Sequence, residues 1–391
     1  MKRIKILCLD HYTKIGGGQR SLLTLLENLN KNIFYPIVAI PGKGDFYKEL
    51  KRIGVNVKFI KLNAELVKIR YNSRRNRAGN PLALSLNFLS MFNSIISLYR
   101  LVKDEKIDLI YANTFKTALV GGIVGKLSGV PMIYHVRIFP NHGWLDNLAT
   151  LLSTRIIANS KAVAKELHGT RRKIKVIYNA IDLVRFKPHV GGDRIRKEFK
   201  INKYEKVVGM VGRVTPEKDH KTFIKAAIKV ISALPDTKFF VVGDAVSEED
   251  EKYKRRIIQL IESKGLGDKF IFTGFRDDIP EIMASLDVLV IPSIKEPWGR
   301  VAAEAMAMGK PVIGTNAGGL REIIDHGKTG ILVPPEDPDS LAEATITLLN
   351  DEELRKSMGK RGRRKVKENF NIAIITGQME KLFLQAVKCN R

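Results

Sequence analysis

Pro292-Ser-Ile-Lys-Glu296-Pro-Trp-Gly299-Arg-Val-Ala-Ala-Glu304-Ala-Met-Ala-Met-Gly309-Lys-Pro311 is the stretch that says most about this 391-residue chain. It follows the apolar run Val288–Ile291, which reads as a strand ended by Pro292, and a helix is expected to start near Gly299. Glu296 then lies in the loop just before the helix N-terminus. Glu304 lies a turn or more inside, with free backbone N–H groups between the two. A carboxylate suits a polyol because it accepts hydrogen bonds from neighbouring hydroxyls. Two carboxylates spaced along a loop and a helix therefore suit a ribose and a second sugar, while the helix end faces a diphosphate. Glu-x7-Glu on its own matches often by chance. Its weight comes from the loop-to-helix setting and from the turn Ala317-Gly318-Gly319 after the next strand.

Outward from there, short β-rich runs alternate with helical patterns along the whole chain, which predicts βα units around parallel sheets. The first half offers Ile4–Leu9, Ile37–Ile40, Val55–Leu62, Leu109–Ala112, Met132–Val136, Ile156–Asn159 and Val176–Tyr178 as strands. The second offers Val207–Val211, Phe239–Val242, Phe270–Phe272, Val288–Ile291, Val312–Gly314 and Ile331–Val333. Several are apolar at consecutive positions, as strands covered on both faces must be. The turn-rich segment Lys187-Pro-His-Val-Gly-Gly-Asp193 divides the series, so the expected domains are 1–187 and 188–371. A terminal amphipathic helix over 372–391 is left without a fixed partner, packing back on the first domain being one arrangement. Two consecutive α/β domains of similar size imply a cleft between them.

Composition narrows the class. The chain is 44% hydrophobic and 28% charged, which fits a folded globular protein. Cys8 and Cys389 stand at opposite ends with no Cys/His cluster, so neither a zinc site nor a disulfide framework is indicated. The apolar run in Met1–Asp10 is too short for a signal peptide and reads as a buried strand. Ala78–Tyr99 carries no charge and has the length of a span, yet its asparagines and serines argue for an amphipathic helix. Phe88, Met91, Phe92, Ile95, Tyr99 and Val102 are its expected apolar face, with Asn87, Ser90, Ser94 and Ser97 on the other. The net charge of +26 is concentrated in residues 1–190, where 32 Lys/Arg face 11 Asp/Glu. That asymmetry points to an anionic partner for the first domain: an acidic membrane surface, a phosphate-bearing acceptor or nucleic acid. The clusters Arg70/Arg74/Arg75/Arg77 and Arg171/Arg172/Lys173/Lys175 are the candidate contacts.

Two further turns carry chemistry. After the first strand, Gly16-Gly17-Gly18 leads into a helical pattern, where backbone N–H groups approach a phosphate; a plain tight turn is the other reading. The glycines match neither GxGxxG nor the P-loop. In the second half, Gly212-Arg213 and Lys218 follow a strand and place a guanidinium fork and a point charge beside a diphosphate, a surface salt bridge being the alternative for each. Asp337-Pro-Asp339 is a DxD by letter, but its position before Ser340-Leu-Ala-Glu reads as a helix cap rather than a metal site.

The series Phe272-Thr-Gly-Phe-Arg, Leu289 to Gly314, Gly318-Gly319-Leu-Arg-Glu322 and Thr329-Gly330-Ile-Leu-Val resembles glycosyltransferase family 4, and the resemblance spans nearly the whole chain. It implies the α/β GT-B fold, with two Rossmann-like domains facing each other across a deep cleft. It also implies retaining transfer of a hexosyl unit from a UDP- or GDP-sugar, with no metal or other cofactor. Carried over by position, Glu304 binds the ribose, Glu296 contacts the donor sugar, and the amides of Gly299, Arg300 and Val301 lie near sugar and phosphate. Arg213 and Lys218 neutralise the diphosphate, Gly17 and Gly18 approach it from the first domain, and His135 sits near the sugar. Trp298, where the family often has Phe, is expected to shape the donor pocket. The expected acceptor is a lipid-linked or polysaccharide intermediate of the cell envelope. The expected place is the cytoplasm or the inner face of the cell membrane. Rival readings are a sugar-nucleotide epimerase, a phosphorylase, a silent nucleotide-sugar-binding scaffold, or a nucleic-acid-binding module. The last is disfavoured because no RNP-like aromatic motif accompanies the charge.

Overall fold

A computed structural model describes residues 3–61, 81–167 and 171–388, with only the helix backbone for 81–90. The cluster Arg70/Arg74/Arg75/Arg77 and residues Ala78–Asn80 lie outside the described residues.

The chain divides into two compact units: Met1–Ala180 with Ile372–Arg391, and Ile181–Asn371. In the first, strands β1 (Ile4–Leu9), β2 (Phe34–Ile40), β3 (Asn56–Phe59), β4 (Leu109–Ala112), β5 (Met132–Val136), β6 (Arg155–Ala158) and β7 (Ile174–Val176) form a parallel sheet in the order β3-β2-β1-β4-β5-β6-β7. Successive side chains alternate between faces, so an apolar run serves both. Ile6, Cys8, Val38, Tyr111 and Ile133 meet the Gly17–Asn28 and Ile372–Lys388 helices. Leu7, Leu9, Ile37, Ile110 and Tyr134 meet the Pro81–Asp104, Phe115–Ser128 and Trp144–Leu152 helices.

The terminal helix therefore belongs to the first unit. It buries Ile375, Met379, Leu382, Phe383 and Ala386, a helical spacing, against that sheet. Phe383 stands edge-on to Phe34 at 6.0 Å and to Tyr111 at 5.7 Å.

Strands β8 (Lys206–Val211), β9 (Thr237–Val242), β10 (Phe270–Gly274), β11 (Val288–Ile291), β12 (Val312–Thr315) and β13 (Ile331–Val333) build the second sheet, parallel, in the order β10-β9-β8-β11-β12-β13. In both sheets the order reverses beside the first strand, between β1 and β4 and between β8 and β11. Loops leaving the carboxyl ends of those strands diverge, and ligands of open α/β sheets bind there.

Three details differ from the sequence reading. The change of unit falls at Ala180–Ile181 rather than in the Lys187–Asp193 turn. Ile181 is buried and donates its N–H to Phe370 O at 2.8 Å, pairing the segments that enter and leave the second unit, and Phe186 is buried too. Next, β7 is Ile174–Val176 rather than Val176–Tyr178. Finally, in the Pro81–Asp104 helix Phe92 is exposed and Ser94 buried, the reverse of the expected faces. Leu98 and Val102 fix the inward side, Ser94 lies one turn before Leu98, and its hydroxyl is satisfied by Lys61 O at 2.8 Å. No described helix is long and apolar enough to cross a membrane.

Phe383→Ala is expected to destabilise the first unit by about 3–5 kcal/mol, the usual cost of emptying a buried phenylalanine site. Urea unfolding checks this: an unchanged midpoint would deny the terminal helix a structural role there.

Candidate active site

In the second unit the loops after β8 and β11 meet at the reversal of strand order. Glu217 O accepts the Ile294 N–H at 3.1 Å, tying one loop to the other. Lys218 ends a short 3-10 turn, and its ammonium reaches Glu296 Oε2 at 2.5 Å. The same carboxylate oxygen takes a hydrogen bond from Ser293 Oγ at 3.2 Å, and Thr315 Oγ1 holds Ser293 O at 2.6 Å. Glu296 is thus fixed by β11, β12 and the loop from β8 together.

Its backbone is held as firmly. Gly319 N–H donates to Glu296 O at 2.8 Å. Gly318 has φ +57°, and a Cβ there would lie 2.1 Å from Glu296 O, so only glycine permits this approach. Gly299, at φ +97°, turns the chain into the Arg300–Ala307 helix. Ala302 makes the first intrahelical bond, to Gly299 O at 3.0 Å, so the N–H groups of Arg300 and Val301 precede the ladder at the positive end. One turn on, Glu304 is buried with Oε1 3.6 Å from the Arg300 guanidinium.

Arg213 is exposed on the loop after β8 and has no ion-pair partner among the described residues. A Cβ on its neighbour Gly212 would lie 3.8 Å from Lys218 Cε, which places the two cations on one loop. The structure therefore assembles Arg213, Lys218, Glu296, Gly299, Arg300, Val301 and Glu304 at one end of one sheet. Trp298 does not join them. It is buried, with its ring edge-on to Phe370 at 5.6 Å, so it packs the core rather than shaping a donor pocket. Asp337 caps the Pro338–Asn350 helix through the N–H groups of Asp339 and Ser340, and Asp339 pairs with Lys229.

The reversal in the first unit holds a second cluster, and most of it escaped the sequence reading. Gly16 caps the Gly17–Asn28 helix, and Gln19 returns its Oε1 to the Gly16 N–H at 3.1 Å. Gln19 Nε2 also donates to both oxygens of Asp10, and Asn113 Nδ2 donates to Asp10 Oδ2 at 2.7 Å. Asp10 is fully buried, and burial pushes its carboxyl up despite those bonds. Arg137 spends its fork on neutral oxygens: Asn113 Oδ1 at 2.9 Å, Asn179 Oδ1 at 2.7 Å and Tyr111 OH at 3.2 Å. A Cβ on Gly18 would lie 3.4 Å from Arg137 Cδ, so the glycine turn and the arginine are neighbours.

His135 lies two residues before Arg137, buried, with Nδ1 2.6 Å from Tyr111 OH. Tyr111 oxygen also accepts from Arg137, and its second lone pair and its own proton suit either tautomer of His135. The other ring nitrogen, Nε2, has no hydrogen-bond partner among the described residues. Burial, then the Arg137 charge, hold the ring well below the ordinary 6.5.

A buried neutral histidine links stability to pH. Its folded pKa is depressed, so below 6.5 the unfolded chain binds a proton that the folded chain refuses. The contribution is present above 6.5 and is lost as pH falls beneath it. Urea midpoints at about pH 7.5 and about pH 5 are expected to differ less in His135→Gln than in the wild type. Equal differences in the two proteins would show that His135 titrates normally. Asp10 acts in the opposite sense, and the comparison of variants removes it.

Apart from Asp10, both clusters fall within recognisable family regions. Residues 15–185 match the family described as Glycosyltransferase Family 4, and residues 192–365 match Glycosyl transferases group 1. The chain is 30% identical over 325 residues to the UDP-Gal:alpha-D-GlcNAc-diphosphoundecaprenol alpha-1,3-galactosyltransferase of Escherichia coli, covering 78% of this chain and 82% of that one. It is 25% identical to the capsular polysaccharide biosynthesis glycosyltransferase CapM of Staphylococcus aureus over 78% of this chain and 83% of that one. Among solved structures, Anabaena HepE in complex with UDP-glucose superposes with a TM-score of 0.83 at 26% identity, covering 98% of this chain and 100% of that one. With two parallel-sheet α/β domains, both family regions and these relatives, the chain belongs to glycosyltransferase family 4 and has the GT-B fold.

Proposed function

We propose that this glycosyltransferase moves a hexosyl unit, with retention, from a UDP-sugar to a hydroxyl of a lipid-linked or polysaccharide intermediate of the cell envelope. The observation that carries the reading is the Lys218–Glu296 pair beside the Gly299 helix end, with Glu304 inside the same helix. UDP is favoured over GDP because HepE was solved with UDP-glucose and the E. coli relative uses UDP-Gal. The acceptor class follows the E. coli and S. aureus relatives.

The difficult step is departure of the diphosphate from the anomeric carbon, which leaves negative charge on the phosphate oxygens. Arg213 is exposed and ready to meet that charge, and the Arg300 and Val301 amides at the helix end add fixed dipoles. Lys218 has a partner already. When a diphosphate draws the ammonium away, Glu296 is left with acceptor oxygens for the sugar hydroxyls, so one exchange arms both groups. Glu304 takes the ribose hydroxyls. The acceptor hydroxyl attacks on the face that the diphosphate leaves, and the departing phosphate oxygen takes its proton. Glu296 orients the sugar and forms no bond to it, and the protein's own cations carry the charge without a metal. In the first unit, we assign Gly17 and Gly18 to the phosphates and His135, through its unpartnered Nε2, to the sugar.

Glu304→Ala and Arg213→Ala are each expected to lower donor turnover by about 100-fold or more, the usual cost of deleting a preorganised charge partner. Wild-type turnover in both would defeat the site. UDP-sugars are expected to raise the melting temperature where GDP-sugars do not. Donor isomerisation without an acceptor, or consumption of orthophosphate, would assign the cluster to an epimerase or a phosphorylase instead. Donor binding with no turnover would make the chain a scaffold.

A further inference from the structure

The Trp144–Leu152 helix has two apolar faces. One turns inward, with Ala149 fully buried and Leu145 packed on the core. The other carries Trp144, Leu148 and Leu151 at i, i+4 and i+7; Trp144 is 63% exposed and Leu151 62%, with Leu148 half-buried between them. An outward apolar stripe on a surface helix is costly in water unless something covers it.

Cations adjoin the stripe. Lys173 Nζ donates to Leu151 O at 3.3 Å and to Ser153 O at 3.1 Å. Burial, then the nearby Lys126 and Arg155, push the Lys173 ammonium pKa down. Lys126 precedes Leu127, which is 63% exposed, and Lys103 reaches Ser128 O at 3.3 Å. The exposed Arg171 and Arg172 precede Lys173. Apolar and cationic surface are thus continuous through the Leu151–Lys173 contact.

We infer that this face docks on an anionic bilayer, with Trp144, Leu151 and Leu127 at headgroup depth and Lys126 and Lys173 on lipid phosphates. Tryptophan and leucine rimmed by lysine and arginine is the pattern of a helix lying in the membrane interface. A nucleic acid would stack a base on Trp144 alone and leave Leu127 and Leu151 uncovered, since leucines offer a base nothing to stack on. A second copy of the chain would bring the same cation cluster against this one. The docking rests on the proposed lipid-linked acceptor for its purpose, since such an acceptor is held at a membrane, but not for its test.

Full-length protein is sedimented with vesicles of phosphatidylglycerol and phosphatidylcholine, and with phosphatidylcholine alone, at rising salt. The wild type is expected to bind the anionic vesicles and to lose them as salt rises. Its tryptophan emission should shift to the blue, a change that reports Trp144 because Trp298 is buried. The variant Trp144→Ser/Leu151→Ser is expected to bind roughly tenfold or more weakly, and Lys126→Glu to bind more weakly as well. Transfer to a water-soluble acceptor should be unchanged in both. Equal binding by the double variant, equal binding to neutral vesicles, or an unshifted emission would each overturn the inference. So would a dimer, or salt-sensitive RNA binding, that the double variant alone abolishes. Vesicle binding without any glycosyl transfer would leave this face standing and sink the proposed reaction instead.

Discussion

A parallel strand covered on both faces favours apolar side chains along its length, and the polar ones it does bury, such as His135 in β5 and Tyr111 in β4, are paired with each other. Ile6, Leu7, Cys8 and Leu9 are all buried, and Asp10, the next residue, is the first to join a polar network. Val288–Ile291 is buried in the same way, and Ser293 and Glu296 follow at once. The hydrophobic effect keeps most polar groups out of the strands, and Asp10, Asn113, Arg137, Ser293 and Glu296 all follow the carboxyl ends of β1, β4, β5 and β11. The reversal of strand order then chooses which two ends have space between them. Both clusters occupy that place in their own sheets.

This explains what the sequence disclosed and what it hid. Strands β1, β4, β5, β11 and β13 have the bounds that their apolar runs suggest, because burial on both faces writes itself into consecutive residues. Glu296, Gly299 and Glu304 were legible because one loop and one helix hold them within nine residues. Arg137 was not, because its meaning lies in Asn113 and Asn179, 24 and 42 residues away. Asp10 likewise acquires its role from an asparagine 103 residues on. The one available signal was that Arg137 follows β5 by a single residue, on the side of the strand that His135 already marks. Phe92 and Ser94 were assigned to the wrong sides because hydrophobicity alone ranks a phenylalanine above a serine. A serine that finds a backbone carbonyl can be buried cheaply, and no periodicity reports that carbonyl. Trp298 was misplaced for a related reason: its neighbour Phe370 lies 72 residues away, in a segment with no motif of its own.

The two clusters hold a cation in different ways, and the difference has consequences. Lys218 is neutralised by Glu296, so its charge is released only when a stronger anion displaces the carboxylate. Such a pair keeps a half-buried ammonium from standing uncompensated, whereas removal of either member strands the other. Arg137 is held by two amide oxygens and a phenol, which orient the guanidinium without cancelling its charge. Asp10 is near, but it reaches Arg137 only through Asn113, and burial works against its ionisation. Arg137 therefore presents a standing positive charge and Lys218 a conditional one.

A standing charge is inexpensive only where water or an anion covers it, and this bears on how the basic residues of the first unit are used. Many of its cations have local acidic partners, as Arg52 has in Glu27 and Glu49, and those pairs add little but solubility. Lys173 is different, because burial and then the nearby Lys126 and Arg155 lower its affinity for protons. Folding alone gives no reason to gather like charges beside an exposed tryptophan and leucine, since both features raise the energy of the bare surface. A bilayer that takes the apolar groups and supplies phosphates to the lysines relieves both costs at a single surface. That common solution is the physical ground for treating the stripe and the cations as one site rather than as two accidents of composition.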